Sequence, residues 1–282
     1  MRNLIENELE NWQNLKVGWI QSEGRSDTYL NLNVIPFNNL LDGTYNTSNG
    51  YDLLLPPLQV LGNLDEVSSN KLMIISLEPL KTSRDLNIQN EYFYDIGNEN
   101  YLEIFGLHPL NLENYYNYQL NYFNIFPQIV GVESPHSRGS NIYWRYIDCL
   151  ANGYLGNNNL RSQDWNSLIN SVIDIPIIPL WAKQHPGFQI NNSIRNLFIK
   201  KINILKPKKI LVLGISKMNL IMELMELTPE NHVNTIQNGN HTISVFQKQY
   251  DWGECRVFFR RFFSNGGGSY DDAFQAGQII SE

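Results

Sequence analysis

Two cysteines, Cys149 and Cys255, are all that 282 residues contain. So small a number, so far apart, excludes a disulfide framework and a four-cysteine zinc or iron–sulfur site, and both read as structural thiols. No apolar run approaches the ~20 residues of a membrane span. The opening MRNLIENELENW puts acids where a secretory signal needs basic residues ahead of an apolar core, so the expectation is a soluble, cytoplasmic protein with no membrane partner. Basic charge is short as well: 21 Lys and Arg against 28 Asp and Glu leave a net charge of −7. That balance excludes an indiscriminate polyanion binder, because phosphate neutralisation by Lys and Arg supplies most non-specific nucleic-acid affinity, though it leaves room for a local basic groove. A Gly-rich phosphate fingerprint follows none of the strand candidates, which counts against an α/β enzyme of free nucleosides or nucleotides.

What is present is a 42% hydrophobic chain, enough for a substantial core, read as one domain over residues 1–282 with an N-terminal elaboration over 1–50. Leu4, Ile5, Leu9, Trp12 and Leu15 share one face of a helix over residues 2–16. The chain is organised around KLMIISLEPLKTS, residues 71–83, in which an apolar run of strand length stops at Leu77-Glu78-Pro79. In an open parallel sheet, the segment just past a strand's carboxyl end is where ligands bind, so Glu78 is the first candidate for chemistry. Further strands are expected over 175–180, 209–213, 241–247 and 256–263. Helices are expected over 141–151, 164–172 and 189–205, and after a Ser216 cap. Strands alternating with helices imply a parallel sheet covered on both faces, built from 71–76, 175–180, 209–213 and 256–262.

Three further stretches carry candidate binding groups. Residues 84–133 are rich in Tyr and Phe, which can stack nucleobases or simply pack a core. SPHSRGS, residues 134–140, precedes a helix and could hold a phosphate on backbone N–H groups or merely cap the helix. Basic residues gather late in the chain, from Arg195 to Lys209 and at Arg256, Arg260 and Arg261. Because neighbouring strand residues alternate faces, only one of Arg260 and Arg261 can point to a groove.

Several of these pieces, in order, resemble the uracil-DNA glycosylase superfamily. LMIISLEP is similar to its first strand and water-activating motif, with Ser76, Leu77, Glu78 and Pro79 in the corresponding places. Residues 53–62 resemble its proline-then-glycine lead-in, and IPLWAKQHPG, residues 178–187, its second strand end with a following Lys and Pro. ILKPKKILVLG, residues 204–214, resembles its helix-Lys-Pro-strand-Gly segment, while 238–246 and 256–264 are like its last two strands. The likeness covers about residues 53–83 and 134–265. Departures are as informative. Leu180 stands where the family has an Asn that reads the uracil edge, and Phe262 where it has the His of its His-Pro-Ser loop. The motif acid is Glu78, and residues 84–133 look like an aromatic-rich insertion.

The resemblance implies a three-layer α/β fold and a monofunctional DNA glycosylase with DNA as partner and neither cofactor nor metal. Glu78 would be the catalytic carboxylate. Leu77, Pro79, Leu180, Trp181 and Phe262 would line the base pocket, and Arg138, Lys183, Phe263, Ser264 and Asn265 would contact DNA. Loss of the edge-reading Asn and His points to a larger base than uracil, such as the glucosylated hydroxymethylcytosine of phage DNA, and hence to antiviral defence. The alternatives are a catalytically silent DNA-binding or protein-binding module on the same fold, and a conventional uracil-excising repair enzyme.

Overall fold

The apolar run Leu72–Ser76 has hydrogen-bonded neighbours on both sides, and a seven-stranded sheet extends outward from it. The computed structural model describes residues 1–10, 51–52, 58–64, 70–76, 92–93, 111–177, 181–182, 192–214, 218–263 and 268–282. The chain divides into two compact units, each drawn from three stretches. One comprises Met1–Gln59, Leu77–Gln119 and Pro176–Ile204, the other Val60–Ser76, Leu120–Ile175 and Leu205–Glu282.

Along the chain the strands are β1 (Tyr51–Asp52), β2 (Leu61–Gly62), β3 (Leu72–Ser76), β4 (Val172–Pro176), β5 (Trp181–Ala182), β6 (Lys209–Leu213), β7 (His232–Asn238), β8 (His241–Tyr250) and β9 (Gly253–Arg260). The large sheet runs β2-β4-β3-β6-β9-β8-β7. β3 pairs parallel with β6 (Met73 opposite Ile210) and β6 parallel with β9 (Leu213 opposite Arg260). β9, β8 and β7 form an antiparallel meander, and β2 is antiparallel to β4. The protein is therefore α/β with a mixed sheet whose centre is parallel. Leu72–Ile75, Ile210–Val212 and Val257–Phe259 are buried without alternation, the pattern of strands covered on both faces.

Three expectations need correction. The strand placed over 175–180 is β4, Val172–Pro176, and the helix placed over 164–172 is only Asn166–Ser171. Ile173 and Asp174 pair with Gly62 and Leu61, and Pro176 ends the strand where an N–H is no longer needed. Asp174, the one charge in this run, is buried but accepts a hydrogen bond from Tyr143 Oη at 2.8 Å, which makes a buried position tolerable. The last strand likewise ends at Arg260, so Phe262 and Phe263 follow it rather than belong to it.

The helices are α1 over residues 2–10, α2 (Leu112–Leu120), α3 (Tyr122–Val130), α4 (Ile142–Tyr154), α5 (Asn166–Ser171), α6 (Asn192–Leu205), α7 (Met218–Leu224) and α8 (Tyr270–Ser281). Asn141 caps α4 by accepting from Tyr143 N at 2.9 Å, and Ser269 with Asp272 forms a capping box on α8. α4 and α8 meet backbone to backbone. A Cβ on Gly153 would lie 1.9 Å from Phe274 O, and one on Gly277 2.0 Å from Leu150 O. None of the helices among the described residues is long and apolar enough to cross a membrane.

In the first unit, Leu4, Ile5 and Leu9 of α1 are buried, and Phe93 meets Tyr115 and Tyr118 edge-on at 5.9 and 5.0 Å. In the second unit, Tyr122, Phe123 and Phe126 pack with Trp144 and Trp165. The stacking reading of residues 84–133 is thus corrected for these rings: they are core, where edge-to-face pairs satisfy the ring quadrupoles.

Lys201 on α6 is fully buried in the first unit, and its Nζ donates to Pro176 O at 2.8 Å. Desolvation lowers its pKa to about 7, with Glu8 pulling weakly the other way. An unfolded chain therefore binds an extra proton between pH 7 and the ordinary lysine range, so stability rises with pH across pH 7–9. Above pH 9 the buried thiols of Cys149 and Cys255, both pushed to about 12, act in the opposite sense. Thermal melts of the wild type and Lys201→Met between pH 7 and 9 check this: the variant's curve should lose most of the rise.

Candidate functional site

Sheet topology locates the edge where chemistry is expected. From the carboxyl end of β3 the chain returns to the sheet at β4 on one side, and from that of β6 it goes to the meander on the other. Adjacent parallel strands with diverging connections leave a crevice at their carboxyl ends. Ser76 ends β3, Gly214 follows β6 with φ +114°, and Gly214 N donates to Arg260 O at 2.8 Å, tying the ends of β6 and β9 together. Glu78 stands two positions after Ser76 in sequence. Glu78, Leu77, Pro79, Leu180, Lys183, Ser264 and Asn265 lie outside the described residues, and of Trp181 only its place in β5 is described. Leu180 is four positions beyond the end of β4, rather than at it.

The described candidates are Phe262, Phe263 and Arg138. Phe262 is half-buried and stacks on Tyr143 at 5.8 Å with 14° between planes. Phe263 is fully buried, stacked on Tyr146 at 5.8 Å, with the Arg260 guanidinium 4.0 Å above it. Phe263 is therefore a support for the strand end and not the DNA-contacting ring the sequence reading expected. Arg260 is buried too: Nε donates to Asn238 Oδ1 and Nη1 to Arg261 O at 2.7 Å, and desolvation lowers its pKa to about 10 against the pull of Asp272. Of the two arginines, only Arg261 is exposed.

Aromatic packing continues from Phe262 along α4 to the start of α8. Tyr146 lies 6.2 Å from Phe262 and 4.6 Å from Tyr270, and Arg161 sits 4.9 Å over the Tyr270 ring. Tyr143, Tyr146 and Tyr270 are each half-buried. Burial first, then Asp174, raises Tyr143 well above the ordinary phenol range, so it donates rather than ionises.

The loop over residues 134–140 is closed on itself. Ser134 N donates to Ser137 Oγ, Ser137 N to Ser134 O and Ser140 N to Ser137 O, at 3.0–3.2 Å. Arg145 Nη2 reaches Ser137 O and Ser140 O at 3.3 Å. These amides are engaged, so the loop does not offer them to a phosphate. Arg138 is exposed at its tip.

Beside this loop lies a cluster that the sequence did not announce. Asp148, fully buried on α4, accepts hydrogen bonds from His136 Nε2 (2.9 Å), Ser162 N (2.9 Å), Asn152 Nδ2 (3.2 Å) and Ser167 Oγ. His136 is 14% exposed, its ring edge-on to Tyr270 at 5.9 Å and its Nε2 4.0 Å from Cys149 Sγ. Burial, then Asp148, pushes that thiol up to about 12, which makes it a poor nucleophile. The signal available in sequence was weak: a lone His in a small polar loop and an Asp twelve residues on, in the middle of an apolar helix.

Among the described residues, no group of three His, Cys, Asp or Glu side chains could hold a metal ion. No protein-family model matches the chain, and no curated protein matches it.

Proposed function

We propose that this protein is a monofunctional DNA glycosylase of the uracil-DNA-glycosylase type, acting on a flipped-out modified base and leaving an abasic site. The observation that carries the reading is the sheet centre. β4-β3-β6-β9 are neighbours, β3, β6 and β9 run parallel, and the motif acid Glu78 comes directly after the strand at the switch point. Breaking an N-glycosidic bond builds positive charge on the sugar. A carboxylate beside C1′ stabilises that charge and orients the attacking water, without a metal.

A larger base than uracil fits the residues that would face it. The half-buried Phe262 ring stacked on Tyr143 offers a π-face but no hydrogen-bonding edge, and Leu180 has neither donor nor acceptor. Recognition of the ring would rest on stacking and shape rather than on an edge-reading hydrogen bond, which admits a bulky hypermodified pyrimidine of phage DNA. Flipping that base costs a few kcal/mol, offset by stacking and phosphate contacts from Arg138, Lys183 and Arg261. An antiviral role follows if host DNA lacks the modification.

A gel assay for abasic sites on three DNAs tests the proposal: phage DNA with glucosylated hydroxymethylcytosine, the same sequence unmodified, and the same sequence with uracil. Cleavage at abasic sites only in the first is expected. Abasic sites only in the uracil DNA would return the protein to conventional repair. None in any, with DNA still bound, would make it a silent binding module.

A further inference from the structure

We infer that a strip of rings on the second unit, Tyr146, Phe262 and Tyr270, together with Arg138, Arg161 and Arg261, is a binding surface for single-stranded DNA. The inference takes DNA as the partner from the reading above, and it asks nothing of Glu78 or of base release. All six residues belong to the second unit. Its core rings Tyr122, Phe123, Trp144 and Trp165 are buried, whereas Tyr146, Phe262 and Tyr270 are each half-buried. Tyr146 lies 6.2 Å from Phe262 and 4.6 Å from Tyr270, so the three form one continuous strip. Ile142, one turn before Tyr146 on α4, is 54% exposed and extends the strip's apolar surface. The phenol hydroxyls of Tyr146 and Tyr270 make no hydrogen bond among the described residues. By contrast, the half-buried pair Tyr250 and Trp252 is tied to the fold, Tyr250 Oη donating to Met225 O at 2.8 Å and Trp252 Nε1 to Pro207 O at 3.2 Å.

The charge beside the strip runs against that of the whole chain, which is −7. The Arg161 guanidinium lies 4.9 Å above the Tyr270 ring. Arg138 is at the tip of the loop whose His136 meets Tyr270 edge-on at 5.9 Å, and Arg261 immediately precedes Phe262. All three arginines are exposed, and none pairs with a carboxylate among the described residues. Of the acids close to these groups in sequence, Asp164 accepts from Asn166 and Asp272 closes the cap of α8, which leaves Glu133 and Asp271 to oppose the arginines.

Partly open rings with unpaired guanidinium groups beside them are what an unpaired strand needs. Each base has a π-face that stacks on an aromatic ring whatever the sequence, and arginine meets the phosphates between bases as well as stacking itself. A duplex keeps those faces inside its own stack and presents its phosphates instead, so it would use the arginines and leave the rings idle.

The test is fluorescence anisotropy of a short labelled oligothymidylate with the full chain, beside the same strand annealed to its complement, across a salt series. The single strand is expected to bind at least about tenfold more tightly than the duplex, because stacking adds to the phosphate contacts. With three arginines on phosphates, the logarithm of affinity should fall with the logarithm of salt at a slope of about −2, and combining Arg138→Gln, Arg161→Gln and Arg261→Gln should remove most of that slope. Tyr270→Leu, which keeps an apolar side chain, should weaken strand binding by roughly fivefold or more and leave the slope as it is. A strand carrying iodouracil, irradiated in the complex, should become attached to Tyr146, Phe262 or Tyr270, as read by peptide mass spectrometry. Thermal melts accompany each variant, and if Tyr270→Leu does not fold, the arginine variant and the wild-type adduct decide the matter. No strand held by the wild type, a duplex held as tightly as the strand, a slope unchanged by the three arginine substitutions, or adducts confined to other residues would overturn the inference. The probe contains no modified base, so these outcomes leave base excision to be judged on phage DNA, and a failure to release any base there leaves strand binding untouched.

Discussion

Glu78→Gln is expected to reduce single-turnover base excision by roughly 10²-fold or more while DNA affinity is held or slightly improved. The substitution keeps the size of the side chain and part of its hydrogen-bonding capacity, and it removes the charge. That charge matters most when the sugar carries oxocarbenium character, so its loss falls on the transition state and hardly on the ground state. Ground-state binding comes mainly from phosphates and the extruded base, and a carboxylate near a polyanion opposes it. Measuring both quantities on one purified variant separates the cases: full activity would remove Glu78 from the mechanism, and loss of folding would make it a structural residue.

A second large effect is expected far from the strand ends. Gly277→Ala adds only one methyl group, but its carbon would sit 2.0 Å from Leu150 O, a backbone atom that cannot move without displacing α4. Separating the two helices unpacks the fully buried Leu150, Ala273, Ala276 and Ile280. Overpacking of this kind costs about 3 kcal/mol. At the size of this chain that is a fall in Tm of roughly 10 °C. α4 also carries Tyr143 and Tyr146, so excision at low temperature should drop as well, since small displacements of positioned groups are costly. Gly156→Ala is the control. It has φ +70° but no atom within 4 Å, so only the left-handed strain of about 1 kcal/mol applies. Equal melting temperatures for the two variants would contradict the close helix contact.

How much of this could be read in advance varied with how local the determining forces are. β3 and β6 were legible because their apolar runs end at sharp signals, Glu78-Pro79 and Gly214, and burial on both faces needs no alternation. β4 was misplaced by several residues because Ile175–Leu180 looks more strand-like than Val172–Pro176. Only the pairing with β2 and the partner for Asp174 decide the matter, and neither is local. β7 was missed altogether: HVNTIQN is almost wholly exposed, and it is a strand because β8 offers it a ladder. The same limit applied at the site. Phe262 and Phe263 are adjacent in sequence, yet one is half-buried and the other fully covered, because the chain has left the strand by then and the buried Arg260 holds the second ring. His136 and Asp148 become a pair only because the loop folds back over the first turns of α4.

Mass spectrometry of the free base released from a panel of DNAs, with Glu78→Gln run in parallel, tests base excision itself. An intact bulky modified pyrimidine is expected, released by the wild type from phage DNA at a level the variant does not approach. Free uracil as the sole product, or no free base from any DNA at concentrations where the protein binds it, would contradict excision of a modified base.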